Sequence, residues 1–118
     1  MATAGRNITT TGQIGDGRED AAVNYVLANA QAGDIDDVLA KMDKFGYEKS
    51  ILINVGDEKG VILDAAVQRA NPTLALELGT YCGYGALRIA RLFVLSPFTL
   101  RSLAAPSPAI QYPTPTRR

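Results

Sequence analysis

Apolar residues recur at helical spacing in two stretches of the chain. In the first, Val23, Val26, Leu27 and Ala30 recur after Asp16 and Glu19, a capping-box-like pair, until Gly33 stops the run. In the second, Ile35, Val38, Leu39 and Met42 share one face behind Asp34 as N-cap, with Asp36, Asp37, Lys41 and Lys44 on the wet side and Gly46 as the end. The two predict a short helical hairpin. An apolar segment, Ser50-Ile51-Leu52-Ile53-Asn54-Val55, leads to Gly56 and a third helix from about Asp57 to Ala70, closed by Asn71-Pro72 because proline disfavours helix in the residue before it. Thr73-Leu74-Ala75-Leu76-Glu77-Leu78 is short, apolar and bounded by turn residues, which predicts a buried strand. A glycine-rich loop from Gly79 to Gly85 follows, and a fourth helix begins at Ala86.

These elements divide the chain into three parts. Residues 1 to 15, rich in Gly, Thr and Asn, are expected to be disordered, and residues 16 to 92 form the ordered domain. Residues 93 to 118 are Pro-rich, since Pro97, Pro106, Pro108, Pro113 and Pro115 all fall there, and with no helical or alternating period they are expected to form a tail without a stable fold. Every acidic residue lies at or before Glu77, whereas Arg88, Arg91, Arg101, Arg117 and Arg118 all come later.

Composition narrows the function classes. The 118 residues suffice for one domain and not two. Lys plus Arg equals Asp plus Glu at 12 each, so nothing calls for nucleic acid or an acidic membrane surface. Cys82 is the only cysteine and there is no histidine, which excludes an internal disulfide, a Cys/His zinc site and a His-based triad. The opening twenty residues lack the apolar stretch of a secretory signal and no run approaches membrane-spanning length, so the expected location is the cytoplasm.

Chemistry concentrates where strand gives way to loop and helix, since α/β sheets bind ligands beyond the carboxyl ends of their strands. In Glu77-Leu78-Gly79-Thr80-Tyr81-Cys82-Gly83-Tyr84-Gly85 the glycines read G-x-x-x-G-x-G, not the G-x-G-x-x-G of dinucleotide sites, which disfavours a nicotinamide oxidoreductase. Glu77 two residues before the first glycine suits a cationic or hydroxyl-rich ligand better than a pyrophosphate. A plain turn into a buried helix explains the glycines equally well.

Ile53-Asn54-Val55-Gly56-Asp57-Glu58-Lys59-Gly60 followed by Leu76-Glu77-Leu78-Gly79-Thr80-Tyr81-Cys82-Gly83-Tyr84 resembles the two consecutive motifs of catechol O-methyltransferases, whose forms are close to MNVGDKKG and LELGAYCGYS. The resemblance covers about residues 18 to 92, the amino-terminal half of such an enzyme. It implies an α/β, class I methyltransferase (Rossmann-like) fold, here incomplete: a helical hairpin plus the first strand-loop-helix unit. It also implies S-adenosylmethionine as cofactor, a magnesium ion, and a small-molecule catechol as methyl acceptor.

Carried over by position, the resemblance puts Val55 near the cofactor, Gly79 and Tyr81 at its methionine end, and Glu77 at the family's acid beside the methionine portion. Gly85 stands where the family commonly has Ser, and Ile53 where it has Met. Each has a plainer reading: Glu77 as a helix cap or lysine partner, Tyr81 and Tyr84 as core or rim aromatics, Cys82 as a packed small hydrophobe. The family's ribose-binding acid, magnesium ligands and catalytic lysine lie past the end of the match, so no catalytic or metal residue is assigned. The chain is expected to be a truncated or frame-shifted copy, inactive alone. An alternative is a non-catalytic binding or regulatory module that self-associates, or pairs with a full-length relative, through the open edge of strand 74 to 78.

Overall fold

The computed structural model describes residues 14 to 94 and 97 to 103. Helices α1 (Arg18–Asn29), α2 (Ile35–Glu48) and α3 (Gly56–Ala70) precede strand β1 (Leu74–Leu78), helix α4 (Tyr84–Ala90), one 3-10 turn (Arg91–Phe93) and strand β2 (Thr99–Leu103). The helical hairpin, third helix, strand and fourth helix thus stand in the order the sequence predicts.

Several boundaries differ, each for a local reason. The Asp16/Glu19 capping box does not form. Gly17, at φ 96°, is the N-cap of α1, and Asp16 instead takes a bidentate ion pair with Arg18 at 2.6 and 2.9 Å. Arg18 is buried, and its remaining guanidinium nitrogen reaches the Ile51 carbonyl at 2.8 Å, so the pair is hydrogen-bonded as a buried charge must be. Helix α1 ends at Asn29, ahead of Gly33. It buries Ala22, while Val23 and Leu27 of the predicted apolar face stay exposed. The small Ala22 allows Phe45 and Leu52 to close against α1.

Asp34 caps α2 as expected, accepting from the Asp37 N–H at 2.9 Å. The helix then runs through Gly46 to Glu48, because buried Phe45 anchors its last turn and outweighs the cost of one helical glycine, about 1 kcal/mol. Asn71, left-handed at φ 43°, closes α3 before Pro72. Helix α4 starts at Tyr84, not Ala86, since left-handed Gly83 turns the chain and Tyr84 is the most deeply buried large side chain.

The expectation of no stable fold from residue 93 onward is corrected at residues 99 to 103, which form β2 parallel to β1 in the register Leu74 to Thr99 through Leu78 to Leu103. With α4 between them, the strands make a complete βαβ unit rather than its first half. One edge of β1 is therefore paired. Thr-Leu-Arg-Ser-Leu has no clean two-residue period, so the strand is set by backbone pairing, with the Gly79 N–H on the Leu103 carbonyl at 2.7 Å and the Thr99 N–H on that of Thr73 at 3.0 Å. The expected disorder of residues 1 to 13 and 104 to 118 concerns segments outside the described residues.

Two apolar clusters form the core. Ala22, Phe45 and Leu52 make one; Leu39, Met42 and Tyr84 make the other; Cys82 packs against both. Beside them a polar chain binds α2, α3 and α4 together. The Tyr84 hydroxyl donates to Asp43 at 3.1 Å and accepts from Arg88 at 3.1 Å. Arg88 forks onto Asp64 with two bonds of 2.9 Å, and Arg91 joins Asp64 to Asp36 at 2.5 and 2.7 Å. Arg88 lies directly over Gly60, where an added Cβ would overlap its guanidinium. The glycine that ends the Ile53–Gly60 motif is thus the floor of a buried arginine site.

Gly60→Ala tests this packing through the sign of its effect. In an open helix interior the change stabilises by about 1 kcal/mol. Here displacement of Arg88 should instead destabilise by about 1 to 3 kcal/mol, as overpacking does. A urea midpoint that rises would contradict the packing described.

Candidate functional site

The βα loop leaves the end of β1 through two left-handed glycines, Gly79 at φ 90° and Gly83 at φ 80°, a conformation that side chains resist. Between them Tyr81 is itself left-handed at φ 44°, an uncommon conformation for a tyrosine. Its ring is held by the Ala22, Phe45 and Leu52 cluster. Its hydroxyl is buried beside Glu19 and the Ile53 backbone without a well-formed hydrogen bond, and burial pushes the phenol up to about 12.

This loop, the 53 to 55 segment and the start of α4 enclose a cavity of about 370 Å³. Val55, Glu77, Gly79, Tyr81 and Gly85, the five residues singled out from the sequence, all line it, as do Ile53, Cys82 and Tyr84. Its size falls within the usual range for small-molecule sites, about 300 to 1,000 Å³. Burial raises the Cys82 thiol above its ordinary value, which keeps it protonated and fits the reading of a packed small hydrophobe.

Among the described residues Glu77 is the one carboxylate on the wall, and it neither caps a helix nor meets a lysine; one of its oxygens accepts from the Ser102 hydroxyl. The serine's single proton is then committed, so the Thr80 hydroxyl, 2.9 Å from Ser102 Oγ, donates to that serine oxygen. The second Glu77 oxygen lies over Gly85, in the space that a Cβ there would occupy. Glycine at this position, where the resembled motif has serine, lets the acid rest on the first turn of α4. The sequence reading missed Ser102 and Thr80: Ser102 lies in the segment taken as tail, and only the parallel register of β2 brings it to Glu77.

A second cavity of about 410 Å³ adjoins the first through Asn54 and is lined by Met42, Asp43, Tyr47, Ile51, Leu52 and Asp57 among others. It holds none of the five residues. The Tyr47 hydroxyl donates to Asp57 at 2.6 Å, which lowers that carboxyl and pushes Tyr47 up to about 12. Burial raises Asp43, against the opposing effect of its hydrogen bond from Tyr84. Among the described residues no group of three or more Cys, Asp or Glu is placed to hold a metal ion, so the magnesium implied by the resemblance has no fitting ligand set there. Among those residues no helix is long and apolar enough to cross a membrane.

Known proteins bear on this geometry. No protein-family model matches the chain. A probable O-methyltransferase of Mycobacterium tuberculosis is 80% identical over 91 residues, which is 77% of this chain and 39% of the relative. Catechol O-methyltransferases of Bos taurus and Mus musculus are 41% identical over 81 residues and 44% over 79, covering 69% and 67% of this chain and 30% of each enzyme. The chain spans well under half the length of the curated relatives it matches. The resemblance seen in the two motifs is thereby borne out.

The tyrosines supply a pH test. Tyr84 is pushed from 10.0 up to about 12, first by burial and then by its bond to Asp43. A folded value above the unfolded one stabilises the fold fully below pH 10 and loses that stabilisation as pH rises through about 12. Phenolate absorbance of the native chain should therefore show Tyr47, Tyr81 and Tyr84 ionising near 12, with one fewer in Tyr84→Phe. Ionisation of every tyrosine near 10 while the helical circular dichroism persists would contradict the burial described.

Proposed function

We propose, on the premise that this chain belongs to the O-methyltransferase family that includes the catechol O-methyltransferases, that its glycine-loop cavity binds S-adenosylmethionine. The observation that carries the reading is the convergence of Val55, Glu77, Gly79, Tyr81 and Gly85 on one cavity at the carboxyl end of β1. Glu77 gives that cavity a carboxylate for the cofactor's ammonium group. Gly79 and Gly83 let the backbone approach closely, and Val55 and Ile53 provide apolar wall. The bound cofactor supplies a methyl group on a sulfonium sulfur, and this chain's residues position it and exclude water.

The methyl acceptor, by analogy with the named relatives, is a catechol hydroxyl. Transfer requires that hydroxyl deprotonated and in line with the methyl group. The described residues offer neither a metal cluster nor a lysine on the cavity wall, so the role proposed for the chain by itself is cofactor binding without turnover.

Equilibrium dialysis with methyl-labelled S-adenosylmethionine, magnesium and a catechol tests both parts at once. The chain should hold label saturably, with no labelled catechol above a no-protein control. Glu77→Gln should weaken binding about tenfold, as expected for loss of a charge-assisted hydrogen bond, and Ser102→Ala far less. Absence of saturable binding would overturn the cofactor reading, and labelled catechol would overturn the expectation of no turnover.

A further inference from the structure

The polar groups around the glycine loop differ in what they still have to offer a ligand. The Ser102 hydroxyl commits its proton to Glu77 Oε2, and the Thr80 hydroxyl commits its own to Ser102. The Gly79 N–H is bonded to the Leu103 carbonyl and the Gly83 N–H to the Thr80 carbonyl, each at 2.7 Å. These four donors are therefore already answered within the fold. An acceptor remains. Glu77 Oε1 takes no hydrogen bond among the described residues, and it lies over Gly85, in the space that a Cβ there would fill. Glu77, Thr80 and Gly85 all line the cavity, and among the described residues no lysine or arginine does.

Two constraints keep the carboxylate in this place. Ser102 stands opposite Glu77 in the register of the strands, so its bond fixes one oxygen. The other oxygen rests on the first turn of α4 only because residue 85 has no side chain: any Cβ there would overlap it, and acid or helix would have to move. Glycine costs a helix about 1 kcal/mol relative to alanine, and here the space it leaves holds a charge. A ligand ammonium brings donors to that free oxygen and opposite charge to the carboxylate. A ligand carboxylate meets like charge and finds the loop's donors taken.

We propose that Gly85 is a specificity-determining residue: by leaving the first turn of α4 bare it seats the Glu77 carboxylate there, so that this end of the cavity selects a ligand's ammonium group over its carboxylate. The inference rests on the reading of the cavity as a site for S-adenosylmethionine and adds which end group the site discriminates and which residue sets the choice.

Isothermal titration calorimetry of the full chain with four thioether nucleosides tests it. These are S-adenosylhomocysteine, its decarboxylated form with the ammonium alone, its deaminated form with the carboxylate alone, and methylthioadenosine with neither. The decarboxylated form should bind about tenfold more tightly than the deaminated one, the difference expected of a charge-assisted hydrogen bond. Gly85→Ala, which drives Glu77 off the helix turn, should erase that preference. Glu77→Gln adds no atom at Gly85 and should erase it too, so it carries the test if Gly85→Ala loses its helical circular dichroism. Equal or inverted affinities for the decarboxylated and deaminated forms, or a preference that survives these variants, would overturn this inference while binding of methylthioadenosine leaves the cofactor reading standing. If none of the four binds, the cofactor reading fails and this inference falls with it.

Discussion

The fork of Arg88 onto Asp64 is the contact on which the arrangement of helices depends. It ties α4 to α3 across Gly60, reaches α2 through Tyr84 and Asp43, and shares Asp64 with Arg91 and hence with Asp36. A charge this buried is tolerated because all its directions are answered: carboxylate in front, a hydroxyl at its side, and glycine beneath. Replacing it with an apolar residue of similar volume would leave Asp64 to Arg91 alone and the Tyr84 hydroxyl with one partner fewer. The network matters more for orientation than for net energy, since it fixes which face of α4 meets the core.

That orientation builds the cavity. Helix α4 starts at Tyr84, whose ring sits among Leu39 and Met42, so the first turn of α4 and the loop from Gly79 to Gly83 are held at a set distance from the 53 to 55 segment. The floor of the cavity is therefore core side chain, and Asn54, Glu77 and Thr80 bring polar groups to its wall. Glu77 is kept in place by Ser102 from the neighbouring strand, so β2 takes part in the site although none of its residues lines the cavity.

Sequence reasoning reached the elements whose signal is local. The N-cap at Asp34, the helix stop at Asn71-Pro72 and the turn glycines Gly79 and Gly83 all follow from side-chain chemistry within a few residues. The five candidate residues that line the cavity came from the family resemblance carried by two short motifs. What escaped it depends on distant partners. Nothing near Gly60 foretells Arg88, 28 positions away, and nothing in Thr99–Leu103 foretells a strand until β1 offers it an edge. The rotation of α1 that exposes Val23 and Leu27 and buries Ala22 is likewise a matter of what α2 and Leu52 bring against it.

The proposed binding site is the cavity of the glycine loop and not the larger one beside it. Two-dimensional amide NMR of the chain titrated with S-adenosylhomocysteine, which has the cofactor's shape without its methyl group, decides this most directly. Binding there should give saturable shifts at Val55, Gly79, Tyr81, Gly83 and Gly85 with Tyr47, Ile51 and Asp57 unmoved. Shifts confined to Tyr47, Ile51 and Asp57, or none at all, would contradict it.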